Sequence, residues 1–261
     1  MAISDRGLLR VGKAELEYRM IGPPPDKAPT LVLLHEGLGC VAMWRDFPDR
    51  LADRTGYGVF AYSRQGYGGS SPCAVPRSLN YMHDEAERVL PVILDTIGFR
   101  EGALIGHSDG ASIAAIYGGS ARDVRLRGLV LIAPHFFTEA PGLASIAEAK
   151  RTYESGDLRQ RLAKHHGDNV DCAFWGWNRA WLDPGFRQWD LTGYLPGITV
   201  PLQLIQGEDD EYGTLAQIET AADRCGGPVR TSLLPKCGHS PHREQPEETL
   251  DIIGAFLNYN S

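Results

Sequence analysis

An α/β fold is predicted by this sequence: a twisted, mostly parallel sheet of eight strands with helices on both faces and a helical segment inserted after the sixth strand. Three observations predict it. Apolar runs of strand length, bounded by glycine and proline, alternate with segments whose apolar residues recur every three or four positions, which is the rhythm of strands joined by crossover helices. That rhythm fails between residues 135 and 195 and resumes after them. At the centre, Ala103-Leu104-Ile105 runs into Gly106-His107-Ser108-Asp109-Gly110 and restarts with helical spacing, which reads as a strand, a sharp turn and a helix.

In order, Leu8 to Val11 and Ala14 to Met20 flank Gly12-Lys13 and form an antiparallel pair at one edge. Thr30 to His35 is apolar throughout, as a strand buried on both faces must be. It ends in the glycine loop His35-Glu36-Gly37-Leu38-Gly39. Trp44 to Arg54 carries a helical stripe closed by Thr55-Gly56. Tyr57 to Tyr62 is the next strand and runs into a second glycine loop, Arg64-Gln65-Gly66-Tyr67-Gly68-Gly69-Ser70. That loop lacks the Lys-Ser/Thr of a phosphate cradle. Leu79 to Ile97 is helical, with Pro91 as a candidate kink. After the central turn come a small-residue helix from Asp109 to Tyr117 and a strand from Leu126 to Ala133.

Residues 135–195 hold two or three helical pieces and four of the five tryptophans. They are expected to form a helical cap whose aromatics pack onto the body and line an apolar pocket. Residues 1–134 and 196–261 then form the core. Within the latter, Val200 to Gln206 and Val229 to Leu234 are strands, Gly213 to Arg224 a helix, and Glu247 to Asn258 a closing helix with a buried stripe.

Composition narrows the function. A chain of 261 residues can bury one substantial core. Its net charge of -7 opposes nucleic acid or an anionic membrane as the main partner; a small-molecule substrate with an apolar portion is expected instead. No apolar run is long enough to span a bilayer and the first residues lack a signal-peptide core, so a cytoplasmic location is expected. Cys40, Cys73, Cys172, Cys225 and Cys237 are odd in number with no C-x-x-C pair, which points to free thiols. With no H-E-x-x-H and His165-His166 standing alone, no metal is expected.

Ser108 sits at a turn that lifts its hydroxyl clear of strand and helix, with a glycine two positions to either side. A serine hydroxyl needs a base to take its proton and a third group to orient that base. Gly207-Glu208-Asp209-Asp210 follows one strand and Cys237-Gly238-His239-Ser240 follows the last. A parallel sheet brings both beside Ser108, in the chain order serine, acid, histidine. The Asp109 N–H opens a helix and has no partner within it, which suits it to a developing oxyanion.

Taken in order, the His35–Gly39 loop, the Arg64–Ser70 loop, the Gly106–Gly110 elbow and the Gly207-x-x-Asp210 and Gly238-His239 pair resemble the α/β-hydrolase fold of the capped serine-hydrolase type, over nearly the whole chain. The resemblance implies Ser108 as nucleophile, His239 as base, Asp210 rather than Asp209 as the orienting acid, and the Gly37 N–H as second oxyanion donor, with no cofactor required. His242 is the weaker rival to His239. Glu36 stands where the family has glycine, and a carboxylate there opposes an oxyanion, so it is expected to point away or be neutralised by Arg64. The Asp109 side chain either favours its helix N-terminus or faces a cationic substrate group. The reaction implied is hydrolysis of a carboxylic ester or related acyl bond. Carbon–carbon bond hydrolases, lactonases, thioesterases, aminopeptidases and perhydrolases share the constellation, and a non-turnover small-ligand receptor is the alternative of another class. A serine, rather than an aspartate, at the elbow argues against the dehalogenases and epoxide hydrolases of this fold.

Overall fold

The strands are β1 (Arg6–Val11), β2 (Ala14–Ile21), β3 (Thr30–Leu34), β4 (Gly58–Tyr62), β5 (Gly102–His107), β6 (Leu126–Ile132), β7 (Leu202–Gly207) and β8 (Val229–Leu234) in a computed structural model that describes residues 4–259. They form one sheet in the order β1-β2-β4-β3-β5-β6-β7-β8. Only β2 runs antiparallel to its neighbours β1 and β4; every other pair is parallel. The central strands β3, β4 and β5 are buried at every position, because helices cover both faces.

Alternation along each strand divides the core in two. Val32, Leu34, Leu104, Leu129 and Leu131 point into one layer with α4 (Asp109–Ser120) and the helical insertion. Leu31, Leu33, Ala103, Ile105, Val130 and Ile132 point into the other, against α1 (Phe47–Thr55) and α10 (Pro246–Tyr259), which supply Phe47, Leu51, Leu250, Ile253 and Phe256. The central turn emerges where β5 ends between these layers.

Three helices depart from the sequence expectation. The stripe from Trp44 is a 3-10 turn, Val41–Trp44, followed by α1, because Arg45 adopts φ 55° between them. The expected helix from Leu79 to Ile97 is α2 (Tyr81–Asp84), a π-helical turn Glu85–Val89, and α3 (Leu90–Thr96). The wide turn, in which the Leu90 N–H donates to the Glu85 carbonyl, opens the ladder just ahead of Pro91, whose ring clashes with the carbonyl four residues back in a regular helix. The helix expected from Gly213 starts later, as α8 (Ala216–Arg224). Before it, Gln206 Nε2 donates to the Gly213 carbonyl at 2.8 Å and Glu139 accepts from Thr214, holding those residues as a loop.

Between β6 and β7 lie α5 (Ala140–Ser155), α6 (Leu158–His166), α7 (Val170–Trp181) and short 3-10 turns. Tyr153 stacks on Phe174 at 3.6 Å, and Trp181, Phe186 and Trp189 pack together. Polar struts tie this insertion to the two glycine loops. The Gly68 N–H donates to His166 Nδ1 at 3.0 Å, His166 Nε2 lies 2.9 Å from the Leu38 carbonyl, and Asn169 Nδ2 donates to the carbonyls of Gly68 and Ser70. The thiols of Cys73 and Cys172 meet across the same seam. Among the described residues no helix is long and apolar enough to cross a membrane.

Candidate active site

Ser108 joins β5 to α4 with φ 53° and ψ −119°, a conformation that costs a non-glycine residue about 1–3 kcal/mol. Its N–H donates to the Ile132 carbonyl at 2.9 Å, which anchors the turn to β6. The flanking glycines are steric necessities. A Cβ at Gly106 would fall 2.3 Å from the Gly110 carbonyl oxygen, and one at Gly110 would fall 2.0 Å from that of Leu34.

Asp210 and His239 meet at the ends of β7 and β8. His239 Nδ1 lies 2.8 Å from Asp210 Oδ1 and 3.0 Å from Oδ2. A carboxylate only accepts, so the ring proton is on Nδ1 and Nε2 is left as the acceptor. Asp210 Oδ1 also accepts from the N–H groups of Tyr212 at 2.9 Å and Gly213 at 3.3 Å. Burial opposes the charge of both groups, but the hydrogen bond between them outweighs it. Asp210 is held below the usual carboxylate range, and His239 is raised above an ordinary imidazole. Asp209 is exposed and joins the loops only through its N–H, which donates to the Cys237 carbonyl. His242 is buried against Trp44 and Phe47, and burial holds it well below an ordinary imidazole.

Ser108, His239, Gly37 and Asp109 line one cavity of about 280 Å³. Ser108 Oγ and His239 share it without a hydrogen bond between them among the described residues, as is common before substrate binds. Neither the Gly37 N–H nor the Asp109 N–H donates to a protein acceptor among the described residues. The opposite wall is apolar, with Ile146, Leu158, Leu162, Trp177 and Trp181 from the insertion. Trp177 lies close enough to the Gly37 backbone that a Cβ there would fall 2.2 Å from its Nε1.

The family model for the alpha/beta hydrolase family matches residues 31–252. This chain belongs to that family. Among curated alpha/beta hydrolase relatives, it is 28% identical to proline iminopeptidase of Lactobacillus delbrueckii subsp. bulgaricus, over 98% of each chain. It is 22% identical to epoxide hydrolase 3 of Xenopus tropicalis, over 98% of this chain and 78% of that one. A solved structure from a study of carboxylesterases of Nitrososphaera gargenis superposes with a TM-score of 0.78 at 17% identity, over 97% of this chain and 98% of that one.

Two side chains of this hydrolase have partners other than those expected. Arg64 does not neutralise the Glu36 carboxylate: its guanidinium donates to the backbone carbonyls of His35 at 2.5 Å and Glu36 at 3.0 Å. The carboxylate instead faces His107 Nδ1 at 3.5 Å. Burial pushes Glu36 up, but the contact with His107 outweighs that and holds it well below the usual range. The Asp109 carboxylate stands in the first turn of α4, as one of its two expectations had it, and is not open to a cationic substrate group. Its Oδ2 accepts from Tyr81 Oη at 2.5 Å and its Oδ1 from Trp181 Nε1 at 3.1 Å, so it joins α2 to the insertion. Burial raises it, against the charge of Arg64 and these two hydrogen bonds.

Sequence reasoning missed three contributors. Glu244 accepts from the N–H groups of both neighbours of His239, Gly238 at 2.7 Å and Ser240 at 2.9 Å; its spacing of four to six residues was the available signal. His135 stacks 5.5 Å from His239, and burial first, then His239, drives it down to about 3. His107 Nε2 lies 2.8 Å from the His239 carbonyl oxygen.

Proposed function

We propose that the chain is a serine hydrolase that cleaves a carboxylic ester or related acyl bond of a small molecule through an acyl-enzyme on Ser108. The observation that carries this reading is the Asp210–His239 pair opening onto the same cavity as Ser108. In the proposed reaction His239 Nε2 takes the Ser108 proton as Oγ attacks the carbonyl. The imidazolium so formed is stabilised by Asp210 and then gives the proton to the leaving alkoxide. The free N–H groups of Gly37 and Asp109 receive the oxyanion. Water, deprotonated by the same imidazole, resolves the acyl-enzyme.

Chemistry separates this reading from epoxide opening. Attack of a serine on an epoxide leaves an alkyl ether, which an imidazole-activated water does not cleave, whereas attack on an acyl group leaves a hydrolysable ester. The apolar wall of the cavity suits a small apolar acyl or alcohol group. Asp109 has both oxygens engaged by Tyr81 and Trp181, which argues against it as the receptor for a substrate ammonium group.

The test uses p-nitrophenyl acetate and a fluorophosphonate probe. The wild type is expected to show a burst of p-nitrophenolate and to carry the probe on Ser108. Ser108→Ala is expected to lose the labelling and about 10⁴-fold or more of the turnover. Labelling elsewhere, or turnover that survives Ser108→Ala, overturns the reading.

A further inference from the structure

Glu36, His107 and the His239 carbonyl form a chain of contacts beside the reacting groups. His107 is fully buried, and its Nε2 lies 2.8 Å from the His239 carbonyl oxygen. A carbonyl only accepts, so Nε2 carries a proton and donates it. His107 Nδ1 then faces Glu36 Oε2 at 3.5 Å and makes no hydrogen bond. A lone pair facing a carboxylate is repelled, so the contact is favourable when Nδ1 carries a proton as well and the two groups form an ion pair. Space for it is built in: a Cβ at Gly39 would fall 2.3 Å from Glu36 Oε2.

The placement of this pair is more than packing requires. Glu36 immediately precedes Gly37, His107 immediately precedes Ser108, and the carbonyl belongs to His239 itself. One buried pair therefore touches the loop of the free Gly37 N–H, the serine turn and the histidine loop, which come from three distant parts of the chain.

We propose that Glu36 and His107 are positioning residues, the pair locking the loop that carries His239 onto the Ser108 turn. The proposal rests on the serine-hydrolase reading above. Neither residue reacts. Glu36 fixes the ring of His107 with Nε2–H outward, and that N–H fixes the backbone of His239, so that imidazole and hydroxyl stay within reach of each other.

Turnover of p-nitrophenyl acetate tests this. His107→Phe keeps the ring volume and removes the donor, and is expected to lower kcat about tenfold or more, since misplacing reacting groups by about an ångström is that costly. KM is expected to stay within about twofold, because the apolar wall belongs to the insertion. Glu36→Leu is expected to match it. Glu36→Gln, whose amide can donate to a neutral His107 Nδ1, is expected to restore most of what Glu36→Leu removes. The double variant Glu36→Leu/His107→Phe is expected to be no slower than the slower single, because the two act as a unit. Wild-type kcat in either single variant, losses that multiply in the double, or a glutamine as damaging as the leucine overturns the proposal. If His107→Phe does not fold, the leucine–glutamine comparison at position 36 decides alone. A wild type that the fluorophosphonate leaves unlabelled defeats the serine reading; a labelled wild type with unimpaired variants defeats only the positioning pair.

Discussion

The loops at the carboxyl edge of the sheet and the helical insertion above them are held in opposite ways. The loops after β7 and β8 are each gathered by a carboxylate a few residues away, and the serine turn is held by the neighbouring strand. Asp210 gathers the N–H groups of Tyr212 and Gly213, Glu244 gathers those of Gly238 and Ser240, and Ser108 is pinned by Ile132 from the next strand. The insertion is held by stacked aromatics and by a few struts that reach back 72 to 101 residues, from His166 and Asn169 to Gly68 and from Trp181 to Asp109. Groups that must meet to within tenths of an ångström are built on short, local hydrogen bonding. The wall that need only be apolar and well shaped is built on packing.

The largest expected effect breaks the local side. Asp210→Asn removes the charge and puts an N–H donor in place of one of the two oxygens facing His239 Nδ1, which favours the wrong tautomer, and kcat for p-nitrophenyl acetate is expected to fall about 10³- to 10⁴-fold. Asp209→Asn, at the exposed neighbour, is expected to match the wild type in the same assay. The sign of the pH effect follows from the raised His239. The base must be neutral to act, so the wild-type rate falls as pH drops through that raised value. Without the Asp210 charge the acid limb of the residual activity is expected to move to lower pH.

A smaller effect sharpens the packed side. Trp181→Phe keeps an aromatic side chain at the position and removes the N–H that reaches Asp109, together with part of the indole's packing, while Tyr81 still holds that carboxylate. A loss of about 1–2 kcal/mol is expected, read as a fall of several degrees in the thermal midpoint. Its effect on turnover is expected to remain below about tenfold. A fall as large as that of Asp210→Asn would place the insertion on the same footing as the loops.

This division explains what was legible in the sequence. All eight strands could be read: the central ones are uninterrupted apolar runs because they are buried on both faces, the edge strands are short, partly alternating segments, and the turns between them carry glycine or proline. Asp210 and His239 could be singled out because short motifs after strands carry them, and the structure joins them by a hydrogen bond. Glu36 could be flagged but not paired, since its partner His107 is 71 positions away in the chain and lies beside it only after β3 and β5 align. The same holds for Asp109, whose partners Tyr81 and Trp181 come from α2 and from the insertion, 28 and 72 positions away in the chain. The π-helical turn was not legible either, because Pro91 permits a kink, a stop or a widened turn, and the packing of α2 and of the turn itself against α4 selects among them.

The buried histidine rings set a proton stoichiometry for unfolding. His166 accepts from Gly68 and faces the Leu38 carbonyl, and His35 accepts from the Arg64 N–H while facing the Glu36 carbonyl. Only a neutral ring can do both. Burial holds these two, with His135 and His242, below an ordinary imidazole. In the unfolded chain each takes up a proton near pH 6.5. From there down to the lowered folded values, each ring is therefore expected to remove about 1.4 kcal/mol of stability per pH unit. His239, raised by Asp210, has the opposite sign: its contribution is complete below about pH 6.5 and is lost as pH rises through its folded value. Denaturant titrations between pH 5 and 8 measure the sum as the number of protons taken up when the chain unfolds, and a stability that is flat across the acid half of that range would contradict it.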